Sequence, residues 1–459
     1  MRVYQDMMFR VKAADAVARK AYRRLLLQYC ELDTAAMVII LETLDKIEAR
    51  VRRSWPNPAP YSLKIGRSSS IFHGAMKISR AELMRRVEQG LRTSPVTALL
   101  GPRQSGKTTL AHELADGKKG RYFDLENPRD QARLTQAQSV LEELRGLVVL
   151  DEIQRRPDLM PLLRVLADRR PLPARFLLLG SASPDLMKHS SESLAGRIHF
   201  VDMAGFNLME VGANQQRKLW VRGGFPDSYL GRNEADSLAW REDFIRTFLE
   251  RDLPLLGIHI PPETLRRFWT MLAHYHGQVW NASELGNSLG VAHHATRRYL
   301  DALVGAYVVR QLQPWFENVG KRVVKSPKVY IRDSGLLHAL LGIPDWTSLH
   351  AHPKLGASWE GFALEQVLAW AGERNAYFWA THGGAELDLM VTLGGKRWGF
   401  EFKCSDTPAL TKSMMIALED LKLKKLWVVY PGKESYPLHD RVECIGLDDL
   451  EKARRASGG

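Results

Sequence analysis

Cysteine is scarce in this 459-residue chain: Cys30, Cys404 and Cys444 are all there is. Three thiols are too few for a disulfide framework and too widely spaced for a zinc knuckle, which sets aside the small stapled secreted classes. Long apolar runs are also missing, since stretches such as Ala35–Leu41 fall far short of a membrane span. The first residues lack the compact apolar stretch and small-residue cleavage site of a signal peptide. No internal repeat and no long low-complexity tract stands out. What is present is ordinary: 45% apolar and 25% charged residues, in a length that suits two to four domains. These features describe a soluble, cytoplasmic protein with no membrane partner.

Lys and Arg number 65 against 52 Asp and Glu, a net charge of +13 that points to a polyanionic partner without saying which. The charge is unevenly spread. Residues 1–75 hold 13 basic and 7 acidic residues, so almost half of the excess lies there and the remaining chain is only mildly basic. That first segment contains two helix-like stretches, Val11–Leu27 and Ala35–Val51, followed by the breaker-rich tract Trp55–Pro60. Residues 76–211 alternate between strand and helix patterns. Residues 212–350 are mostly helical with a short strand pair, and residues 351–459 return to mixed α and β. The expected fold is α/β: a parallel-sheet domain, a mostly helical middle domain, and an α/β C-terminal domain.

The strand Val96–Leu100 runs into Gly101, Pro102, Arg103, Gln104, Ser105, Gly106, Lys107, Thr108 and Thr109, and then into a helix. This is a P-loop in its required setting of strand, loop and helix. Its glycines let backbone N–H groups close around phosphate oxygens at a helix N-terminus. Lys107 is expected on the β- and γ-phosphates and Thr108 on Mg²⁺. A second apolar strand, Leu147–Leu150, ends in Asp151 and Glu152, suited to organising the metal and activating water. Strands at Tyr122–Leu125 and Arg175–Leu179 fit the same sheet. Ser181 then falls beside the γ-phosphate as a sensor, and Arg197 is the candidate cation for transition-state charge. ATP and Mg²⁺ are the implied cofactors, and ATP hydrolysis the implied reaction.

Farther along, Asn281–Leu289, the turn Gly290-Val291 and Ala292–Ala306 read as helix, turn, helix. Ser283 is the expected N-cap. A strand at Tyr307–Leu312 and a returning strand within Arg322–Ile331 would form a wing. Val291, Ala295, Tyr299, Leu300 and Leu303 make the inward stripe, leaving His293, His294, Thr296, Arg297 and Arg298 to face out. That face could meet DNA, or the module could serve packing or dimerisation.

In the last segment Gly394-Gly395 has the composition of a two-residue hairpin turn between Glu386–Leu393 and Lys396–Cys404. Closing it pairs Leu393 with Lys396 and sets Asp388 opposite Glu401. Like charges at that spacing oppose the sheet unless a cation lies between them. Mg²⁺ would serve. The other reading is a solvated hairpin with a Glu386–Lys403 ion pair.

Asp388 followed by Glu401-Phe402-Lys403 resembles the PD-(D/E)xK nuclease signature. That likeness further implies Glu360 on a preceding helix as third ligand, Glu365 in reserve and Lys403 orienting water. With the P-loop, the acidic strand end, Leu194–Arg197, Gly223–Pro226, Glu250–Leu253, Lys328–Leu337 and Gly356–Glu360, the chain resembles a prokaryotic family of AAA+-type ATPases. In that family a P-loop domain precedes a winged helix and a nuclease-like domain of unknown function. The resemblance starts near Ile78, which makes Met76 the expected native start and residues 1–75 an added extension or an upstream mistranslation. It implies ATP binding, with DNA favoured over RNA as a further partner and a homo-oligomer if Arg197 acts across subunits. A DNA-directed ATPase with an active nuclease domain is the leading expectation. A nucleotide-switched DNA-binding or scaffold protein with an inert nuclease fold is the alternative.

Overall fold

A computed structural model describes residues 78–181, 193–316 and 324–458. The expectations for residues 1–75, Ala182, Ser183, Arg322 and Val323 lie outside them. Ala75–Gly459 is one compact unit. Among the described residues no helix is long and apolar enough to cross a membrane.

The first sheet is built from β1 (Val96–Leu100), β2 (Arg121–Asp124), β3 (Gly146–Asp151), β4 (Ala174–Gly180) and β5 (Ile198–Asp202). All neighbours are parallel, in the order β2-β3-β4-β1-β5. Parallel strands buried on both faces read as largely apolar runs, as the three central strands β1, β3 and β4 do. Alternate residues serve opposite faces. Ala98, Val148, Leu150, Phe176 and Leu178 pack toward the helices Ala137–Glu143 and Leu159–Ala167. Leu99, Val149, Leu177 and Leu179 pack toward Ala81–Thr93 and Lys107–Lys118. Because β4 lies between β1 and β3, the ends of these three strands converge on the P-loop.

The middle region is helical up to Pro262–His274 and then adds β6 (Gln278–Val279), β7 (Val309–Leu312) and β8 (Lys328–Ile331), an antiparallel sheet in the order β6-β8-β7. Between β6 and β7 come the two expected helices, Ala282–Leu289 and His293–Gly305, with Gly290 left-handed at the turn. Two expectations are corrected. Asn281, not Ser283, caps the first helix, its side chain accepting the N–H groups of Ser283 and Glu284. Thr296 is buried rather than outward, because its hydroxyl donates to the carbonyls of His293 and Ala282 and ties the two helices together. The strand also starts later than expected, since Tyr307 is left-handed (φ 62°).

The last sheet comprises β9 (Ala376–Ala380), β10 (Glu386–Leu393), β11 (Lys396–Phe402), β12 (Lys425–Tyr430), β13 (Tyr436–His439) and β14 (Val442–Gly446), in the order β13-β14-β12-β11-β10-β9. Gly394 and Gly395 both have positive φ, and the hairpin pairs Leu393 with Lys396 and Leu389 with Phe400, the expected register. A bulge against β9 lies between Leu387 and Met390, in the stretch that carries Asp388. Trp315 and Val324 bond to the edge strand β9: Trp315 N–H donates to Phe378 O (2.7 Å) and Val324 N–H to Ala380 O (3.0 Å). Trp220, Trp359 and Phe362 form a buried aromatic contact between the middle helices and Leu355–Ala371. Aromatic burial of this kind contributes on the order of 3 kcal/mol per ring. The middle region is thus joined to the last sheet both by backbone pairing and by core packing.

Candidate functional site

The P-loop folds as its residues require. A Cβ on Gly101 would lie 2.0 Å from Met203 O, and Gly106 has φ +93°, so both positions demand glycine. Ser105 is buried and donates to Pro102 O (2.9 Å). Lys107 is 5% exposed and its Nζ donates to the carbonyls of Gly101 (3.0 Å) and Pro102 (2.7 Å). Thr108 Oγ1 donates to Asp151 Oδ2 (2.8 Å), which brings the two expected Mg²⁺ ligands together. Gln104 and Thr109 are exposed. Glu152 adopts a left-handed φ of 56°, its N–H held by Asp151 Oδ1. Burial raises its carboxyl above the ordinary range, with Arg103 opposing and Asp151 reinforcing. Ser181, at the end of β4, is buried, and its hydroxyl has no hydrogen-bond partner among the described residues.

Burial lowers the Lys107 ammonium to about 8 against the attraction of Glu152 and Asp151. A phosphate that binds the charged form must restore the proton above that pH. Nucleotide affinity should therefore fall as pH rises through about 8, with proton uptake on binding at about pH 9 and none near pH 6.5. Calorimetry in buffers of different ionisation enthalpy measures this directly, and identical proton counts at both pH values would contradict it.

Three side chains sit differently from expectation or were not anticipated. Arg103 turns toward carboxylates, pairing with Asp252 (2.5 Å), Glu126 (3.0 Å) and Glu152 (3.7 Å). The P-loop is thereby tied to the π-helical turn Phe248–Asp252. Arg197 precedes β5, whose first residue pairs with the start of β1, so it lies at the end of the sheet opposite its own P-loop. There it pairs with Asp168 (2.6 Å) and cannot serve the nucleotide of its own subunit. Tyr122 donates to Asp151 and stacks on His112, a role the short strand pattern of β2 did not reveal.

The second cluster lies where β8, the helix Leu355–Ala371 and the β10–β11 hairpin meet. Asp388 and Glu401 interlock: Asp388 Oδ2 accepts Phe402 N–H (2.9 Å) and Glu401 Oε2 accepts Asp388 N–H (3.4 Å). Glu401 also pairs with Lys403 at 2.7 Å. Glu360 accepts the Tyr330 hydroxyl (2.7 Å). Lys328, 4% exposed, places its Nζ 3.3 Å from Glu360 Oε1 and 3.6 Å from Asp388 Oδ1, and it also pairs with Glu386. Glu360 and Asp388 therefore lie within about 7 Å of each other. Burial, then the neighbouring Asp388, pushes the carboxyls of Glu360 and Glu401 above the ordinary range.

The expected carboxylates are brought together, but they do not fit the expected divalent ion. Among the described residues no group of three His, Cys, Asp or Glu could hold a metal. The ammonium of Lys328 takes the central place. Glu365, the reserve ligand, is instead bound to Arg310 at 2.5 Å. The expected Glu386–Lys403 pair is replaced by Glu386–Lys328 and Glu401–Lys403.

The family model described as an AAA domain matches residues 93–212. Two described as domains of unknown function, DUF8612 and DUF4143, match 213–347 and 355–450. The chain is 52% identical over 375 residues to Mb2031c of Mycobacterium bovis and, equally, to Rv2008c of Mycobacterium tuberculosis, both described as uncharacterized. Each match covers 82% of this chain and 85% of the relative. The Walker-type ATPase PABY2304 of Pyrococcus abyssi is similar at 17% identity and a TM-score of 0.42, over 58% of this chain and 96% of that one. The protein belongs to the family of the two mycobacterial proteins, whose shared sequence includes in this chain a P-loop AAA domain.

Proposed function

We propose that the protein is an ATP-hydrolysing switch that acts on DNA through a winged helix and uses its nuclease-like domain as a scaffold. The observation that carries the ATPase reading is the meeting of Lys107, Thr108, Asp151 and Glu152 at adjacent strand ends, with Ser181 on the strand between. Thr108 and Asp151 would hold Mg²⁺ with the nucleotide, and the ion would neutralise phosphate charge. Lys107 binds the β- and γ-phosphates, Ser181 contacts the γ-phosphate, and Glu152 takes the proton of the attacking water. Loss of Mg²⁺-dependent phosphate release in Lys107→Ala tests the reading, and undiminished turnover would end it.

A coupling route is available in the contacts. Arg103 grips Asp252, while the Gly223–Pro226 loop approaches Gly106 and gives the Gly224 N–H to Asp333 Oδ2 (2.7 Å), two residues beyond β8. Nucleotide-dependent movement of the P-loop would reach the two-helix module and β8 through these contacts.

The DNA reading rests on the helix–turn–helix with its adjoining sheet and on the exposed His293, His294, Arg297 and Arg298. Replacing Arg297 and Arg298 together by alanine should weaken DNA binding at low salt and lower the salt slope by about 2. An unchanged slope in a fluorescence-anisotropy titration would favour a protein-packing role for this face.

Arg197 fits a subunit-bridging role in a homo-oligomer, since it stands away from its own nucleotide. Specific ATPase activity should then rise with protein concentration, and Arg197→Ala should flatten that rise. Concentration-independent turnover in the unaltered protein would remove this part of the reading.

A further inference from the structure

We propose that Lys328 is the resident cation of the Glu360/Glu386/Asp388 cluster, which makes the cluster an ammonium-sealed lock between two sheets in place of a divalent-metal centre. The lysine belongs to β8, which is held on both sides by β6 and β7, so its backbone is fixed outside the C-terminal sheet. Its side chain crosses into that sheet and is almost wholly buried at 4% exposure. A buried ammonium is strongly disfavoured without anionic partners, and here three carboxylates surround it. The Phe378 ring, with its centroid 5.7 Å from Nζ, adds an aromatic wall from β9. Tyr330, two residues along and on the same face of β8, donates to Glu360. The strand thus makes two contacts with one carboxylate.

The acids are also individually committed. Asp388 accepts a backbone N–H, Glu401 is divided between Lys403 and the Asp388 N–H, and Glu360 is shared by Tyr330 and Lys328. A divalent ion entering here would have to displace the Lys328 ammonium from its carboxylates or sit beside it at like-charge distance. The same contacts join the middle sheet to the C-terminal sheet, alongside the pairing of Gln313, Trp315 and Val324 with β9. The lock is therefore structural in the strict sense of holding two modules in fixed orientation. It stands independently of ATP turnover, which is measured separately.

Mn²⁺ binding to nucleotide-free full-length protein tests it, read by electron paramagnetic resonance of the free ion. The unaltered protein should show no Mn²⁺ site that depends on Asp388. Lys328→Met keeps the length and removes the charge. It should acquire one Mn²⁺ per chain, tighter by at least about 10³-fold, since a like charge about 4 Å away at an effective dielectric of about 20 opposes even a monovalent ion by that factor and Mn²⁺ carries two charges. Adding Asp388→Asn should abolish the gain. Lys328→Met/Glu386→Gln carries one fewer uncompensated acid and supplies the same reading if the single variant does not fold. An Asp388-dependent Mn²⁺ site in the unaltered protein overturns the proposal. So does a folded variant lacking Lys328 that binds Mn²⁺ no better than the unaltered chain.

Discussion

Glu152→Gln should lower ATP turnover by about 10²–10⁴-fold while leaving nucleotide affinity within a few fold of the unaltered protein. The amide keeps the shape and the hydrogen-bonding reach of the side chain but cannot take a proton. Two features prepare Glu152 for that role. Its left-handed backbone turns the side chain out of line with β3, and its N–H is held by Asp151. A glutamate at φ 56° is costly, by about 1–3 kcal/mol, and persists only where surrounding contacts fix it. Burial raises its carboxyl, which brings a carboxylate nearer to the basicity useful at neutral pH. Lys107→Ala is the contrasting variant because it removes the phosphate-binding cation and should reduce affinity as well as turnover. Measuring phosphate release beside equilibrium binding of a fluorescent nucleotide separates the two. If Glu152→Gln loses affinity and turnover in equal proportion, Glu152 holds the nucleotide and is not the base.

Arg103 complicates any simple view of the P-loop. From sequence it belongs to the phosphate cradle, yet its guanidinium is engaged by Asp252, Glu126 and Glu152. Asp252 lies 149 residues away on a π-helical turn. Asp252→Asn should loosen this tether and leave Glu152 a larger share of the Arg103 charge. The P-loop is consequently one end of a charge network that extends into the helical region.

The parts visible in the sequence were those set by local rules. A strand followed by Gly101–Thr108 constrains its own backbone, and the two glycines of the hairpin turn fix which residues of β10 and β11 face each other. Asp388 and Glu401 could therefore be placed together without any knowledge of the rest of the chain. Lys328 could not. Its partners Glu360, Glu386 and Asp388 come from other elements, and a lysine opening the apolar strand Lys328–Ile331 looks like an ordinary solvated strand end. Thr296 was hidden for a related reason: a small β-branched polar residue suits either face of a helix, and the carbonyl of Ala282 that draws it inward belongs to the preceding helix. Arg197 was expected to serve the nucleotide, but the strand that follows it, β5, was not foreseen, and only its parallel pairing with β1 shows that Arg197 lies at the far end of the sheet from the P-loop.

Arg310→Ala should destabilise the protein by about 3–5 kcal/mol. Arg310 lies on β7, is 6% exposed, and forms a two-pronged pair with Glu365 at 2.5 and 2.8 Å. It also reaches Glu373 at 2.9 Å. Truncation leaves Glu365, 14% exposed, as a buried charge with only the more distant Arg332 at 4.0 Å. Glu373 is 38% exposed and retains Arg332, so water screens much of its loss. Replacing both buried partners, as in Arg310→Met/Glu365→Leu, should recover most of the deficit because neither charge then remains stranded. The pH dependence has a definite sign. Burial alone would raise the Glu373 carboxyl, but Arg310 and then Arg332 overcome it and hold it at about 2. Its share of stability is present above the unfolded carboxyl value of about 4.3 and is lost as pH falls toward about 2. The deficit of Arg310→Ala should accordingly be greatest near neutral pH and shrink in acid, as urea unfolding at about pH 7 and pH 3 would reveal. A deficit equal at both pH values would mean that Arg310 stabilises the fold by packing its aliphatic stem, with its charge contributing little.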